Sequence, residues 1–424
     1  MGGGMVGDSM VTKDQYPAFG HAMRKEFLIA DDFVPLNHGS YGAYPKAVRD
    51  GLREYQDLIE SNCDLWMKKT MFGKMVELRK TMADFINADP EEVVMVQNTS
   101  VGVNSILRSL SFQPGDKILY FNTVYEPLYS ALVYLRDTRP NLDLVRVNLA
   151  YPLSDDDYVR LIEEAIQQHS TQQHPIRYCF LDAVTSVPGV KVPIERILPL
   201  LRQHDILSIV DGAHAIGQIP LDMKALDPDF FVTNCHKWLY SVRGSAILYV
   251  PKRHHAIVHP TTISHGYKKG LAAEFEWVGT LDYSNYMSIF SALEYRKKIG
   301  GEERIQTYCH DLAIRGAQYL SKLFGTRYIE NEEGTLTASM CNVQLPLTVS
   351  TEDDVLFNKG LQYMVDTLLL EFKCFASPYR HAGHWWIRCC VQVYNELEDF
   401  EKLGKALQII CARLEKVKGH VEQL

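Results

Sequence analysis

The sequence predicts an α/β fold in which a large domain, built on a mostly parallel sheet, is followed by a small C-terminal α+β domain. From about residue 78 to residue 250, short apolar runs alternate with amphipathic stretches of helical period, which is typical of parallel strands joined by helices. A long helical segment, Ser284 to Lys298, separates this region from a part with a different order of elements. With 424 residues, 46% of them hydrophobic, the chain can bury the cores of two or three domains.

The strands of the large domain are predicted from apolar runs of four to six residues bounded by polar or turn residues. They are Val93 to Val96, Lys117 to Phe121, Leu142 to Val147, Tyr178 to Leu181, Ile206 to Val210, Phe230 to Thr233 and Ala246 to Val250. Helical periodicity between them predicts the helices Val101 to Leu110, Asp156 to His169 and Ile194 to Gln203. Parallel neighbours need such crossover helices, which cover both faces of the sheet.

The domain organisation follows from these elements and from the composition of the ends. Residues 1–18 are interpreted as a disordered leader, since Gly, Asp, Ser and Lys dominate there. Residues 19–300 form the large domain. Within it, the N-terminal segment 19–77 is expected to contribute to the active site and to the small domain. Residues 301–424 form the small domain, with strands at Ser339 to Gln344 and Trp385 to Tyr394 and helices at Thr351 to Phe372 and Glu396 to Val417.

Charge and composition exclude several classes of partner. The net charge is −8 and Lys and Arg occur singly, so no basic patch suits a nucleic-acid backbone. The absence of an apolar run of 18 residues or of a signal-like start predicts a cytoplasmic protein without a membrane partner. The nine cysteines include no CxxC pair, which favours reduced thiols and no metal site.

Two predicted strand ends carry residues that suit pyridoxal phosphate chemistry. The run ILSIVDGAH places Asp211 at the carboxyl end of a buried strand, where ligands bind in open parallel sheets. About 25 residues later, TNCHKWL ends the next strand with His236 and Lys237. Taken singly, an Asp-Gly pair at a strand end is more often a simple turn, and a lone lysine after a strand is usually solvated. Together they supply the amine that forms a Schiff base with this cofactor and the acid that keeps its pyridine nitrogen protonated.

A site for the cofactor's phosphate is predicted after the strand Val93 to Val96. The run QNTSVGVN opens a helix through Thr99, Ser100 and Gly102, so backbone N–H groups and the positive end of the helix dipole face the same edge of the sheet. The alternative is a simple helix cap at Thr99 or Ser100.

Five motifs in order resemble one family over the chain from about residue 25 onward. They are LNHGSYG (36–42), NTSVGVN (98–104), DGAHAIGQ (211–218), NCHKWL (234–239) and EWVGTLD (276–282). This set resembles the class V aminotransferase-fold pyridoxal phosphate enzymes, in particular the isopenicillin N epimerase-like branch. Within that branch the chain is most similar to the hercynylcysteine sulfoxide lyases of ergothioneine biosynthesis. The resemblance implies the pyridoxal phosphate-dependent transferase fold of type I and a homodimer with shared active sites.

The resemblance also assigns cofactor contacts residue by residue. Lys237 is implied as the Schiff-base lysine that also moves the α-proton, Asp211 as the partner of the pyridine nitrogen, and His214 as the neighbour of the ring hydroxyl. The remaining implied contacts are Thr99, Ser100, Val101, Asn234 and His236, with Thr280 from the partner subunit and with Asp182 and Thr185 in the pocket wall. For Asp182 and Thr185 a purely structural turn is an equal alternative.

The substrate is implied to be an amino acid held by its α-carboxylate. Arg388, in WIRCCVQVYN, matches the arginine that forms a bidentate pair with that group. His38, Gly39 and Ser40 are implied to line the same pocket. Tyr125, in FNTVYEP, is implied to cover the cofactor ring and to serve as the acid that protonates the leaving group.

Other residues have less certain roles at this stage. Cys235, beside Lys237, is interpreted as a packing residue rather than a nucleophile. Cys374 invites comparison with the cysteine of cysteine desulfurases, but it lacks the small Ser- and Gly-rich loop around it. Tyr379, Arg380, His381 and His384 form either a polar loop or part of a substrate pocket.

The predicted function is that of a carbon–sulfur lyase acting on a cysteine conjugate, which releases a thiol or sulfenate, pyruvate and ammonia. The same fold and cofactor contacts also serve epimerases, aminotransferases, decarboxylative cyclases and cysteine desulfurases, since only the placement of the substrate differs. A nucleotide-binding protein without catalysis is disfavoured, because no GxGxxG motif follows a predicted strand.

Overall fold

The computed structural model describes residues 16–417. Residues 1–15, most of the predicted leader, lie outside the described residues. The strands are β1 (Val34–Pro35), β2 (Val93–Val96), β3 (Lys117–Phe121), β4 (Asp143–Val147), β5 (Ile176–Asp182), β6 (Leu207–Asp211), β7 (Phe230–Asn234), β8 (Ala246–Tyr249), β9 (Met340–Gln344), β10 (Cys374–Phe375), β11 (Ser377–His381) and β12 (His384–Cys390).

The helices lie before, between and after these strands. They are α1 (His38–Tyr41), α2 (Lys46–Ser61), α3 (Cys63–Leu65), α4 (Met71–Phe85), α5 (Thr99–Ser109), α6 (Glu126–Thr138), α7 (Asp155–His169), α8 (Ile194–Gln203), α9 (Met223–Leu226), α10 (Leu271–Glu276), α11 (Ser284–Lys298), α12 (Gly301–Phe324), α13 (Asp354–Asp366) and α14 (Leu397–Lys416). Two π-helical turns, Trp66–Thr70 and Thr367–Glu371, precede α4 and follow α13. No helix between residues 16 and 417 is long and apolar enough to cross a membrane.

The large sheet has seven strands in the order β2-β8-β7-β6-β5-β3-β4. The strands from β7 to β4 run parallel to their neighbours, which confirms the predicted mostly parallel sheet. Strand β8 is antiparallel to both β7 and β2. Because an antiparallel neighbour needs no crossover helix, a single loop, residues 235–245, joins β7 to β8. That loop carries Lys237.

Helices cover both faces of this sheet, as the near-continuous apolar strands require. On one face α5 and α6 pack through residues such as Ile106 and Leu132. On the other face α4, α7 and α8 pack through Leu78, Ile162 and Ile197. Because helices cover both faces of the sheet, ligands reach it at the carboxyl ends of the strands, where the loops that follow the strands lie.

The C-terminal part is a three-stranded antiparallel sheet in the order β11-β12-β9. Helices α12 and α14 pack beside it through Leu312 and Leu407, among other buried residues. Helix α11 turns into α12 at Gly300 and Gly301, which both have positive φ, a backbone conformation that glycine adopts without strain. The predicted second strand ends at Cys390, four residues before the predicted limit.

The segment predicted as a polar loop or a substrate pocket forms the hairpin of β11 and β12 instead. His381 and His384 are paired residues at the turn of this hairpin. Tyr379 and His381 are buried, and Arg380 forms an ion pair with Asp354. The polar-loop alternative is therefore wrong, because these residues form paired strands in which alternate side chains of β11 point into the core.

The segment around LNHGSYG connects the two parts of the molecule. Strand β1 pairs in parallel with β10, and Asn37 forms a bridge with Cys390. Helix α2 then packs against α11 of the large part. Helix α1 is thereby held between the loop that carries Lys237 and the end of β12.

Candidate active site

A cavity of about 190 Å³ lies at the carboxyl ends of β5, β6 and β7 and at the N-terminus of α5. The sheet topology brings these chain segments to one place, as the rule for open parallel sheets predicts. The residues that line the cavity are Ser40, Tyr41, Asn98, Thr99, Ser100, Tyr125, Leu128, Asp182, Ser186, Asp211, Ala213, His214, Asn234, His236 and Lys237.

Lys237 presents its amine to this cavity. Its Nζ atom lies 3.0 Å from Nε2 of His214. Burial lowers the pKa of Lys237 to about 8, although the nearby carboxylate of Asp211 opposes that effect. Since the neutral amine is the nucleophile in imine formation, the cavity increases the reactive fraction of this lysine near neutral pH.

The tautomer of His214 follows from its partners. Nε1 of Trp238 donates a hydrogen bond to Nδ1 of His214 over 3.2 Å, so Nδ1 is unprotonated. Burial keeps the pKa of His214 well below its usual value, so the ring is neutral and its proton is on Nε2. The Nε2–H of His214 therefore donates to the amine of Lys237 when that amine is neutral, and the hydrogen bond from Trp238 fixes the imidazole ring in this orientation.

Asp211 is the last residue of β6 and is almost completely buried. The backbone N–H of Ala213 donates a hydrogen bond of 2.8 Å to its Oδ1 atom. Burial raises the pKa of Asp211, while this N–H and the positive charge of Lys237 lower it. An acid in this position can neutralise a cationic ring that binds in the cavity.

Thr99 begins α5 and lies next to the end of β7. Its N–H donates a hydrogen bond of 2.9 Å to Asn234. Its hydroxyl oxygen, Oγ1, is buried and has no hydrogen-bond partner among the described residues. A buried, unsatisfied hydroxyl at a helix N-terminus is a suitable donor for a phosphate oxygen.

His236 also lines this end of the cavity. Its Nδ1–H donates a hydrogen bond of 3.1 Å to the carbonyl of Ser245. Burial lowers the pKa of His236 to about 4, so the ring is neutral and its Nε2 carries no proton.

Arg388 lies at the end of β12, buried below Ser40 of the cavity wall. Its Nη2 donates hydrogen bonds to Asn37 (2.6 Å) and Ser40 (2.8 Å), and its Nη1 donates one to the carbonyl of Ser186 (2.8 Å). Its Nε is buried without a partner among the described residues. No acidic side chain between residues 16 and 417 forms an ion pair with Arg388. Arg388 is not itself part of the cavity lining, but Ser40 and Ser186, to which it donates, are.

The structure does not bring His38 and Gly39 to the cavity surface, although the resemblance implies that they line it. Nε2 of His38 donates a hydrogen bond of 2.7 Å to the carbonyl of Lys237, and Nδ1 accepts one of 2.9 Å from the Tyr394 hydroxyl. A Cβ atom on Gly39 would lie 3.0 Å from the Trp238 side chain. His38 therefore supports the backbone of Lys237, and the absence of a side chain at Gly39 allows the close approach of Trp238.

Gly42 extends this contact. Its φ is 68°, and a Cβ atom there would lie 1.8 Å from the carbonyl oxygen of His236. Arg296 also contacts this loop, through a hydrogen bond of 2.7 Å to the carbonyl of Trp238. A second hydrogen bond of Arg296, of 2.9 Å, goes to the carbonyl of Gly217 in the segment after β6. The loop that carries Lys237 is thus held by its contact with Gly42 and by its hydrogen bond with Arg296.

Three further predicted contacts lie outside the cavity lining. The hydroxyl of Thr185 is bonded to the carbonyls of Pro188 and Val190, the structural turn that was the alternative for this residue. The N–H of Val101 donates to Asn98, the residue that caps α5. Thr280 is exposed and away from this chain's own cavity.

The cysteines near the site have structural positions. Cys235 is fully buried in core packing, in line with its interpretation. Cys374 is 1% exposed in β10, where it pairs with Val34, and it does not line the cavity. Cys374 is therefore not placed to act on a substrate bound beside Lys237.

Sequence reasoning missed several residues that matter for this site. Tyr41 lines the cavity although it is 72% exposed, and it lies within the LNHGSYG motif. Asn37 and Ser186 position Arg388, and Trp238 sets the tautomer of His214. All four lie within, or next to, motifs that had been singled out, so proximity to those motifs was the available signal.

A profile of the class-V aminotransferases matches residues 43–403. The chain belongs to the class-V aminotransferase family. The hercynylcysteine sulfoxide lyase of Schizosaccharomyces pombe is 30% identical over 409 residues, which cover 93% of this chain and 98% of that protein. An L-cysteine desulfhydrase of Arabidopsis thaliana is 26% identical over 409 residues, or 89% of either protein.

A solved structure of the same fold shows the architecture of this class-V aminotransferase independently of sequence. It is a variant of C-DES in which a lysine is replaced by alanine, with glycine covalently linked to the pyridoxal phosphate cofactor. It matches with a TM-score of 0.75 at 18% identity and covers 91% of this chain and 98% of its own. The predicted type I fold is confirmed.

Pyridoxal phosphate is the cofactor of this family, and the cavity residues fit it. Lys237 supplies a buried amine, and Asp211 supplies an acid for the pyridine nitrogen. The unsatisfied hydroxyl of Thr99 and the N-terminus of α5 suit the phosphate. The predicted cofactor is thereby confirmed for this class-V enzyme.

The orphan hydroxyl of Thr99 leads to a prediction about cofactor affinity. We expect Thr99→Val to raise the dissociation constant of pyridoxal phosphate about tenfold, since a hydrogen bond to a charged group contributes roughly 1.5–3 kcal/mol. Ser105→Ala on the same helix is the control, because that hydroxyl is already bonded to the Val101 carbonyl. Equal affinities of the two variants, measured by fluorescence titration of the apoproteins, would exclude Thr99 from phosphate binding.

Proposed function

We propose that this enzyme is a carbon–sulfur lyase that cleaves a cysteine conjugate of the hercynylcysteine sulfoxide type into a sulfenate or thiol, pyruvate and ammonia. The observation that carries the proposal is the position of Tyr125. Its ring lines the same cavity as Lys237, its side chain is 48% exposed, and its hydroxyl has no hydrogen-bond partner among residues 16–417. The named relative that acts on this substrate supports the choice of conjugate.

Each part of the reaction has a residue of this chain to perform it. Arg388 binds the α-carboxylate, which orients the Cα–H bond. The bound cofactor supplies an electron sink that makes this proton acidic. The amine of Lys237, once freed by the incoming amino acid, accepts that proton. Tyr125 then donates its hydroxyl proton to the departing sulfur as the Cβ–S bond breaks.

Water completes the balance of the reaction. One molecule hydrolyses the remaining three-carbon unit, so that substrate and water give the sulfur product, pyruvate and ammonia. A sulfoxide conjugate releases the sulfenate and a sulfide conjugate releases the thiol, so neither reaction requires an oxidant or a reductant.

A homodimer forms part of the proposal. Thr280 is exposed on the loop between α10 and α11, away from this chain's own cavity. We place it at the phosphate of the second subunit, as the resemblance implies.

Replacing the phenol of Tyr125 tests the proposal. We expect Tyr125→Phe to lower the rate of pyruvate release from hercynylcysteine sulfoxide about 100-fold or more, which is the usual contribution of a positioned acid. Exchange of the substrate's α-proton with deuterated solvent should continue, because that step uses Lys237. Tyr134→Phe, an exposed tyrosine of α6 that does not line the cavity, is the control.

The outcomes separate the possible reactions. Full pyruvate release by Tyr125→Phe would remove the phenol from the mechanism. No pyruvate from the unchanged enzyme, with α-proton exchange intact, would instead indicate an epimerase or an aminotransferase. Release of sulfide from free L-cysteine, in preference to the conjugate, would indicate the activity of the Arabidopsis relative.

A further inference from the structure

Two carboxylates lie side by side at the strand ends that form the cavity. Asp182 ends β5 and Asp211 ends β6, and the two residues are direct partners in the parallel pairing. They are 4% and 2% exposed. Neighbouring strands lie about 4.8 Å apart, so the two acids share one small, poorly hydrated space.

The surroundings of the two acids differ. Asp211 accepts a hydrogen bond from the N–H of Ala213. In the described part of the chain, no backbone or side-chain group donates a hydrogen bond to the carboxylate of Asp182. A carboxylate without donors is costly to bury, whereas a carboxylic acid is much less so.

The charged and titratable groups around Asp182 come from three directions. From β6 the neighbour is Asp211, and from the loop after β7 it is Lys237, whose positive charge opposes protonation. From the loop after β4 and from α7 come the phenols of Tyr151 and Tyr158, which are hydrogen bonded to each other. Burial keeps both phenols neutral by raising their pKa values. One lysine thus faces two acids.

Two adjacent buried carboxylates rarely ionise together, and the proton stays on the one with the poorer environment. Burial first, and then the charge of Asp211, raise the pKa of Asp182 well above its usual value. Asp211 alone has a hydrogen-bond donor for its negative charge. The geometry and the electrostatics therefore assign the proton to the same residue.

We propose that Asp182 remains a neutral carboxylic acid in the working enzyme and presents its O–H to the cavity as a hydrogen-bond donor, while Asp211 carries the single negative charge. Asp182 lines the cavity, so the donor is directed at the cofactor or the bound amino acid. This inference concerns the cofactor pocket and is independent of which amino acid is the substrate. Asp182 is then a positioning residue and does not contribute a second negative charge to the cavity.

The visible absorbance of the holoenzyme tests the proposal by pH titration, since the absorbance of the lysine-bound cofactor changes as the linking nitrogen loses its proton. Asparagine is neutral, donates hydrogen bonds and differs from a protonated aspartate by one group. We expect Asp182→Asn to leave the titration midpoint within about 0.3 pH unit of the unchanged enzyme, and Asp182→Leu to shift it by more than about 0.5 unit.

Three outcomes would overturn the proposal. A downward shift of about one unit or more in Asp182→Asn would mean that a negative charge had been removed from beside a cation. Equal shifts in the Asp182→Asn and Asp182→Leu variants would also mean that the lost group was a negative charge and not a hydrogen-bond donor. No shift in either variant would mean that Asp182 donates nothing to the cofactor. Asp211→Asn is the reference for the loss of a real charge.

Infrared spectroscopy gives a second measurement that needs no turnover. With ¹³C-labelled aspartate, the holoenzyme should show the carbonyl stretch of a protonated carboxyl group at neutral pH, and Asp182→Asn should lack it. Absence of that band from the unchanged protein would overturn the proposal. Failure of the proposed lyase reaction would leave both measurements unaffected, so the two proposals fail separately.

Discussion

Lys237→Ala is expected to abolish turnover and the covalent attachment of the cofactor. The amine is the only group in the cavity lining that can both link to the cofactor's aldehyde and accept the α-proton at neutral pH, because His214 is held neutral and bonded on both nitrogens. A loss of at least about 1000-fold in the rate of pyruvate release is expected, in line with removing a nucleophile and a base together.

Cofactor binding itself should survive this substitution. Thr99 and Asp211 remain, so we expect Lys237→Ala to bind pyridoxal phosphate as the free aldehyde, which the visible spectrum distinguishes from the lysine-bound form. Lys224→Ala, at an exposed position in α9, is the matched control. Retention of full activity by Lys237→Ala would refute the assignment of the active site as a whole.

Arg388→Lys should weaken substrate binding more than it slows the chemistry. Lysine keeps the charge but loses the paired N–H groups, one of which, Nε, is buried and without a partner. We expect KM for the amino acid to rise about 10- to 100-fold, or about 1.4 to 2.7 kcal/mol, with a smaller change in kcat. Steady-state kinetics on the purified variant would measure both constants.

A second arginine provides the control for this experiment. Arg380 lies on the neighbouring strand and is half exposed in an ion pair with Asp354, outside the cavity lining. Arg380→Lys should leave KM unchanged. Should KM be unaffected in the Arg388 variant but raised in the Arg380 variant, the carboxylate site would have to be moved.

The large sheet was predictable from sequence because its strands are buried on both faces. Continuous apolar runs such as Val93–Val96 and Lys117–Phe121 have no other stable location, and both have the predicted bounds. The N-terminal helices α2 and α4 were not predicted as elements. Helix α2 does carry an amphipathic pattern, with Val48, Leu52, Tyr55 and Ile59 at intervals of three or four residues, so this signal was present in the sequence and was missed.

The cavity was predictable where chemistry limits the choice of residue. An amine, an acid and a phosphate donor must meet at strand ends, and Lys237, Asp211 and Thr99 do. The direction of a side chain within a motif was not predictable. His38 turns toward Tyr394 and the backbone under the lysine because tertiary packing selects that orientation, and a single sequence carries no information on it.

The hairpin of β11 and β12 shows the same limit in the small domain. Its polar residues suggested a loop, yet Tyr379 donates its hydroxyl to Asn342, and His381 accepts the N–H of Tyr151. Partners nearly 40 and 230 residues away satisfy these groups inside the core. Composition alone indicates exposure for such residues, because the distant partners are not visible in the local sequence.

The chain of hydrogen bonds from Tyr394 through His38 to the backbone of Lys237 has a consequence for biosynthesis. The loop after β7 emerges from the ribosome long before Tyr394, whose hydroxyl orients the histidine beneath the lysine across 356 positions of sequence. The parallel sheet can fold on the nascent chain while this loop lacks its support. Capture of pyridoxal phosphate in its final geometry is thus expected to follow the synthesis of β12 and Tyr394.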